Sequence, residues 1–241
     1  MMHPYYLLAF VFILGACNTS SSQTAEKTPT QEIIRTNDTE PDYSSYKTPS
    51  IEESGLDKHF AKATKAIFAG GCFWCIEEVF ERINGVEGVY SGYVGGTQKH
   101  PTYYGVGGGG TNYTEANFIY YNADVVSYEQ LLEFFYFSHH PTQLNGQGPD
   151  RGRQYRAGVF YLNDAQKDAA TQFQAKLDAS GIYSKPIVTE ITQVGTFYLA
   201  EDYHQDYYPQ HPENPYVQRV SKPKADKFTA AYPQFLKGYK P

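Results

Sequence analysis

The hydrophobic positions of this chain change period in a way that predicts its elements. Lys65-Ala66-Ile67-Phe68-Ala69 is a short β-rich run. Immediately after it, Cys72, Ile76, Val79, Phe80 and Ile83 recur at helical spacing. Gly85 stops that helix, and Val86 to Tyr93 reads as a strand. Glu115 to Tyr121 alternates as another strand. Ser127 caps a helix to about Ser138, with Gln130 in the capping-box position and Leu131, Leu132, Phe134 and Phe135 on its apolar face. Tyr155 to Leu162 is a strand, Asn163 caps a helix to about Ala179, and Gly181 ends it. Ile187 to Val194 is the next strand. From Thr196 onward the chain is polar, aromatic and proline-rich, which predicts an irregular surface wrap. The order β-α-β-β-α-β-α-β predicts an α+β sandwich, one sheet covered by helices.

Two long loops interrupt this order. Gly95 to Thr111 is glycine-rich; its run Gly107 to Gly110 is followed by no Lys-Ser/Thr, so it reads as close-approach backbone rather than a phosphate cradle. His139 to Gln154 is polar, and loops of that length inside a compact domain are often functional.

The first part of the chain is different. Tyr5 to Ala16 is apolar, roughly a dozen residues, too short to span a bilayer as a helix. Residues 1–16 read as a signal peptide of lipoprotein type. Leu14-Gly15-Ala16-Cys17 resembles a bacterial lipobox, with Cys17 as the acylated residue; an ordinary cleaved signal is the alternative. Residues 17–57 are rich in Ser, Thr, Pro, Glu and Asp and cannot bury enough to offset the entropy of ordering. They read as a disordered tether, or as an arm that packs through Ile51, Leu56 and Phe60. The folded domain is expected over 58–241.

The net charge of −6 argues against nucleic acid as a partner, since phosphate binding needs a basic surface. The chain has three cysteines. With Cys17 set apart, Cys72 and Cys75 are the remaining pair, and C-x-x-C at a strand–helix junction reads as redox or metal more than as a staple.

That junction carries the chemistry. Gly70 and Gly71 let the backbone turn sharply and place Cys72 at the start of a helix. Unpaired N–H groups and the positive dipole end stabilise an anion there, so the Cys72 thiol is expected to have a lowered pKa.

Gly71-Cys72-Phe73-Trp74 resembles the signature of the peptide methionine sulfoxide reductase A family. Further blocks follow in that family's order: Ser91 to Gly96, Pro101-Thr102-Tyr103, Thr114-Glu115, Gln147 to Asp150, Gln154-Tyr155-Arg156 and Ala200 to Tyr208. The resemblance spans about Thr64 to Tyr216 and implies a ferredoxin-like core with long surface loops. It implies Cys72 as nucleophile toward the sulfoxide sulfur and Glu115, its pKa raised by burial, as proton donor. Tyr103 and Tyr155 match phenols that hydrogen-bond the sulfoxide oxygen, and Asp150 matches an acidic residue that orders the site. Phe73 and Trp74 are expected to wall the S-methyl pocket and select the S epimer, with Tyr203, His204 and Asp206 at its edge.

After transfer, Cys72 is expected as a sulfenic acid. Cys75 stands where the family often has glycine, and no cysteine follows it near the C-terminus. Cys75 is then expected to resolve the sulfenic acid as a Cys72–Cys75 disulfide, recycled by a thioredoxin-like reductant; an external thiol with Cys75 as a small core residue is the alternative. The resemblance implies no cofactor and no metal. The leader adds a bacterial envelope location, with the membrane reached through the lipid anchor alone and Asn18 favouring outer-membrane sorting. Three rivals remain: a thiol–disulfide oxidoreductase of proteins, a zinc module using Cys72, Cys75, His139 and His140, and a non-catalytic binding lipoprotein.

Overall fold

The computed structural model describes residues 47–240. The expected signal segment, Cys17 and the tether as far as residue 46 lie outside the described residues. After two single-turn helices, α1 (Ile51–Ser54) and α2 (Leu56–His59), the chain runs β1 (Thr64–Gly70), α3 (Phe73–Glu81), β2 (Val86–Val94), α4 (Tyr103–Gly107), β3 (Thr114–Tyr121) and α5 (Tyr128–Ser138). A two-strand ribbon follows, β4 (Gly146–Gln147) and β5 (Asp150–Arg151), then β6 (Ala157–Tyr161), α6 (Asp164–Ala179), β7 (Glu190–Gln193), β8 (Tyr198–Leu199), α7 (Tyr207–Gln210) and α8 (Lys222–Ala231).

The main sheet has the order β7-β6-β1-β3-β2-β8. Its inner four strands, β6-β1-β3-β2, are all antiparallel and are joined as β-α-β-β-α-β, the ferredoxin-like arrangement. Side-chain alternation divides the core in two. Ala66, Phe68, Ile119 and Tyr121 join α3 and α5 on one face. Ile67, Ala69, Phe118 and Tyr120 join Ile51, Phe160 and Phe197 on the other. β3 is buried along its whole length because it has neighbours on both edges and cover on both faces.

The helix starts follow the sequence. Ser127 and Gln130 form a reciprocal capping box at α5, and the Asn163 side chain caps α6. The next strand is shorter than the expected Ile187–Val194 and runs parallel to β6.

Two boundaries differ from expectation. Of the two readings of this stretch, residues 47–57 take the packed arm and not the loose tether: Thr48 and Ile51 are buried, Leu56 and Phe60 pack on the core, and Ile51 N–H and Leu199 N–H donate to the Phe197 and Pro49 carbonyls. Phe60 stacks on Tyr120 at 4.4 Å, so a few apolar residues cover a sheet face that would otherwise be wet. The second difference is α8, in a region expected to be irregular. Val217, Ser221, Ala225 and Phe228 face the core at helical spacing, but two of the four are small, so the apolar periodicity is weak. Pro223 sits in the first turn, where its missing N–H breaks no helical bond.

Phe228 is fully buried and meets Phe134 edge to face at 5.4 Å. Phe228→Ala is expected to lower unfolding free energy by about 3–5 kcal/mol. Urea denaturation of the variant measures this, and a loss below about 1 kcal/mol would mean α8 is not part of the core.

Candidate active site

The antiparallel order brings four chain segments out at one end of the sheet. Gly70, the end of β1, pairs with Ala157, the start of β6. Tyr93 and Val94, at the end of β2, pair with Glu115 and Thr114, at the start of β3. Cys72 follows β1, Tyr155 precedes β6, Glu115 opens β3, and the Tyr103 helix lies in the β2–β3 connection. Residues up to 83 positions apart thus converge without any long-range contact being special.

Cys72 is the N-cap of α3 rather than a member of its first turn. Gly71 makes the corner with φ +93°, and a Cβ there would fall 2.5 Å from Gln147 Cβ. Gln147 is itself fixed by two hydrogen bonds to the His140 backbone. Glu115 and Asn117 project from β3 on the face that packs α3. The Phe73 N–H donates to Glu115 Oε2 at 3.1 Å, and Asn117 Nδ2 donates to the Phe73 carbonyl at 3.2 Å. One peptide unit is gripped at both ends by one strand.

Burial decides the titration of this site. Glu115 is 2 % exposed, and its carboxyl is pushed up to about 8, mainly by desolvation and against the Phe73 hydrogen bond. It is therefore mostly protonated at neutral pH. Cys72 is 5 % exposed, and the expectation of a lowered pKa is overturned: burial raises it well above an ordinary thiol, helped by the hydrogen bond and charge of Cys75 and by Glu115. The helix terminus does not offset this: the Cys72 side chain makes no cap hydrogen bond to the helix backbone, and the Phe73 N–H goes to Glu115. Cys75 moves the other way, down to about 6, through the hydrogen bond from Cys72, with Lys224 and Ser221 helping. The two thiols are free, and their first ionisation belongs to the pair, with the charge favoured on Cys75.

Around them stand Tyr103 and Tyr155. Burial raises both phenols, and both feel Glu115 and Cys72, so they remain donors facing the same spot. Trp74 is held flat by Tyr207, stacked at 3.8 Å and 8°, and its Nε1–H donates to His204 Nδ1 at 3.3 Å. Burial keeps His204 neutral, with its pKa lowered to about 3. Phe73, expected as pocket wall beside Trp74, is 1 % exposed and sits behind the rim against the Tyr103 and His204 rings. Tyr203 packs its half-exposed ring on His204 at 4.0 Å.

Asp206, expected at the pocket edge, goes elsewhere. Its left-handed backbone, φ 53°, turns it toward α3, where it acts on Glu81, Glu77, Glu78 and Tyr90. Asp150 is brought in by β5 and accepts the Tyr216 O–H at 2.6 Å. His139, considered as a zinc ligand, has its ring nitrogens on the Phe135 carbonyl and Thr189.

Several site residues escaped the sequence reading. Tyr216 hydrogen-bonds Asp150, and its side chain also reaches Cys72. Glu201 accepts the Tyr93 O–H and the Tyr103 N–H, both at 2.9 Å, and so anchors α4. Glu201 lies inside the family-like block Ala200 to Tyr208 and Tyr216 at the end of the resemblance, but the sequence alone assigns neither a role, since both lie in the segment expected to be irregular. The whole constellation holds a soft nucleophile, a proton source and two phenol donors in a dry notch. That set suits reduction of a polarised oxygen bound to a soft electrophilic atom.

A family model described as "Peptide methionine sulfoxide reductase" matches residues 64–235. A peptide methionine sulfoxide reductase MsrA of Pasteurella multocida is 51 % identical over 160 residues, covering 66 % of this chain and 91 % of the relative. That of Natronomonas pharaonis is 46 % identical over 167 residues, covering 69 % and 94 %. Among solved structures, Mxr1 from Saccharomyces cerevisiae in reduced form matches with TM-score 0.59 at 32 % identity, over 64 % of this chain and 88 % of that one. Methionine sulfoxide reductase A of Corynebacterium diphtheriae matches with TM-score 0.55 at 31 % identity, over 61 % and 74 %.

The raised Glu115 pKa has a stability consequence. The folded state prefers the protonated carboxyl, so stability is full below the unfolded value near 4.5 and is lost as pH rises through about 8. Glu115→Gln keeps an acceptor for Phe73 N–H without the charge. It is expected to unfold at higher urea than the parent above about pH 8, by a few kcal/mol, with the gap closing toward pH 5. Equal gaps at both pH values in parallel urea titrations would contradict the assignment.

Proposed function

The chain belongs to the peptide methionine sulfoxide reductase family, and on that premise we propose that it reduces methionine S-sulfoxide, free or in proteins, to methionine. The observation that carries this reading is a buried thiol, Cys72, and a protonated carboxyl, Glu115, joined through the Phe73 N–H. Cys72 attacks the sulfoxide sulfur as its proton passes to the hydrogen-bonded Cys75. Glu115 protonates the oxygen, and the Tyr103 and Tyr155 hydroxyls stabilise the charge that builds there. The S–O oxygen moves to Cys72, methionine leaves, and Cys72 is left as sulfenic acid, oxidised by two electrons. The Trp74 face takes the S-methyl group, so one epimer presents its sulfur to Cys72.

Cys75 then displaces the hydroxyl of the sulfenic acid. A Cys72–Cys75 bond forms, and the hydroxyl leaves with the Cys75 proton as water. The disulfide needs two electrons from a dithiol, for which a thioredoxin-like donor is the fitting class. The lipobox-like Leu14-Gly15-Ala16-Cys17 supports an exported, lipid-anchored enzyme, with 17–46 as spacer, serving repair of oxidised proteins in the envelope of a bacterium. A donor in that compartment is required. Palmitate labelling of the expressed chain is expected and should vanish in Cys17→Ser.

Single-turnover assays with the separated epimers test the chemistry. One equivalent of methionine is expected from the S epimer and under about a hundredth of that rate from the R epimer, a gap typical of a site that must hydrogen-bond its substrate. Cys72→Ser should form none. Glu115→Gln should be slower by about 10²–10⁴-fold. The parent rate should fall as pH rises through about 8, where Glu115 loses its proton. Cys75→Ser should make one equivalent and stop with Cys72 oxidised. Equal use of both epimers, or turnover without Cys72, would refute the reading.

A further inference from the structure

Near the Ser221 contact of Cys75, the molecule holds a buried cation with no assigned purpose. Cys75 Sγ lies 3.1 Å from the Ser221 hydroxyl, at the entry to α8. Lys224 is three residues farther along the same helix, a spacing that puts both side chains on one face. The Lys224 Nζ is buried and has no hydrogen-bond partner among the described residues. An ammonium carries three donors, and leaving them buried and unbonded is costly.

Its charge reaches three groups from different parts of the chain, Cys75 and His139 buried and Asp150 partly so. The charge of Lys224 acts on Cys75 in α3, on Asp150 in β5 and on His139 just after α5. His139 is held neutral by burial, and Asp150 already accepts from Tyr216. Of the three, Cys75 is the one whose charge changes during the reaction.

We propose that Lys224 is a positioning residue for the second half of the cycle, the counter-charge that supports Cys75 sulfur as it attacks the Cys72 sulfenic acid. The inference rests on the methionine sulfoxide reductase reading and on Cys75 as resolving thiol. In that step Cys75 sulfur forms a bond to Cys72 sulfur, the Cys72 S–O bond breaks, and the hydroxyl leaves as water with the Cys75 proton. Negative charge accumulates on Cys75 before the S–S bond closes, next to an otherwise unsatisfied ammonium. The C-terminal helix therefore supplies, through Ser221 and Lys224, the environment on this side of Cys75.

The test follows one turnover of the full chain with S-sulfoxide, quenched in acid and read by mass spectrometry with a sulfenic-acid trap. The groups facing Cys75 are Cys72, Glu115, Asp150, Tyr216, Ser221 and Lys224, and all but the last are left unchanged. Lys224→Met is expected to slow conversion of sulfenic acid to disulfide about tenfold near pH 7, with the deficit shrinking to about twofold or less near pH 9.5, where Cys75 ionises unaided. Lys224→Arg should restore the rate. An unchanged rate near pH 7, a deficit equal at all pH values, or no rescue by Arg overturns the inference. Should Lys224→Met not fold, Lys224→Gln carries the comparison. The unmutated protein gives an independent reading: its thiolate absorbance, minus that of Cys75→Ala, must titrate below an ordinary thiol. Failure of the underlying reading shows separately, as no methionine from the unmutated protein.

Discussion

The structure depends on how one peptide unit is held. Phe73 gives its N–H to Glu115 and takes a hydrogen bond from Asn117 on its carbonyl, two residues apart on the same face of β3. This grip joins the helix that carries both thiols to the strand that carries the acid. It ties the nucleophile's helix to the proton donor's strand through two buried side chains that meet on one peptide unit, which holds both groups in place before substrate arrives. It also engages the first N–H of α3, and the Cys72 side chain makes no cap hydrogen bond to the helix backbone. The order of ionisation in the site follows from that bond and from burial together.

A site this dry holds its reagents in unusual protonation states. Glu115 retains a proton that water would remove, and Cys72 retains one while Cys75 is favoured to lose its own. The chain sustains this because Cys72 and Glu115 are almost wholly buried among aromatic side chains. Phe73, Tyr93, Tyr113 and Tyr198 form a cluster of their own beneath the site, edged by Trp74 and Tyr103. The 23 tyrosines of the chain have a structural use here. Each ring contributes apolar bulk, and several hydroxyls reach carboxylates, as Tyr93 does at Glu201 and Tyr216 at Asp150. Stability and reactivity pull against each other at Glu115, where burial that raises the pKa also disfavours the folded state at high pH.

The last quarter of the chain encloses what the sheet and α3 begin. His204 and Tyr207 fix the Trp74 ring, Glu201 anchors the Tyr103 helix, Tyr216 reaches between Asp150 and Cys72, and α8 closes the floor behind Cys75. None of these residues stands on a ferredoxin-like element. The fold sets the end of the sheet where chemistry occurs, and the C-terminal segment turns that end into a notch.

The local sequence determined most of the frame. Glycine at 71, the capping residues Ser127 and Asn163, and the shift between periods of two and helical spacing are short-range effects that act on the backbone wherever they occur. The same is true of the Cys72 corner and, with the family resemblance, of the pairing of Cys72 with Glu115. Tertiary structure alone decided the rest. Asp206 left the pocket because one residue adopts a left-handed turn, and residues 47–57 became cover because a sheet face needed it. The sense of the Cys72 shift reversed because desolvation depends on everything packed around the sulfur, while a helix dipole depends only on the helix. Lys224 has no local signal at all: a lysine in a polar helix is ordinarily solvated, and only the packing of α8, whose entry meets Cys75 through Ser221, buries its ammonium where its charge acts on that thiol. Short-range geometry can be read along a chain; burial is a property of the assembled whole.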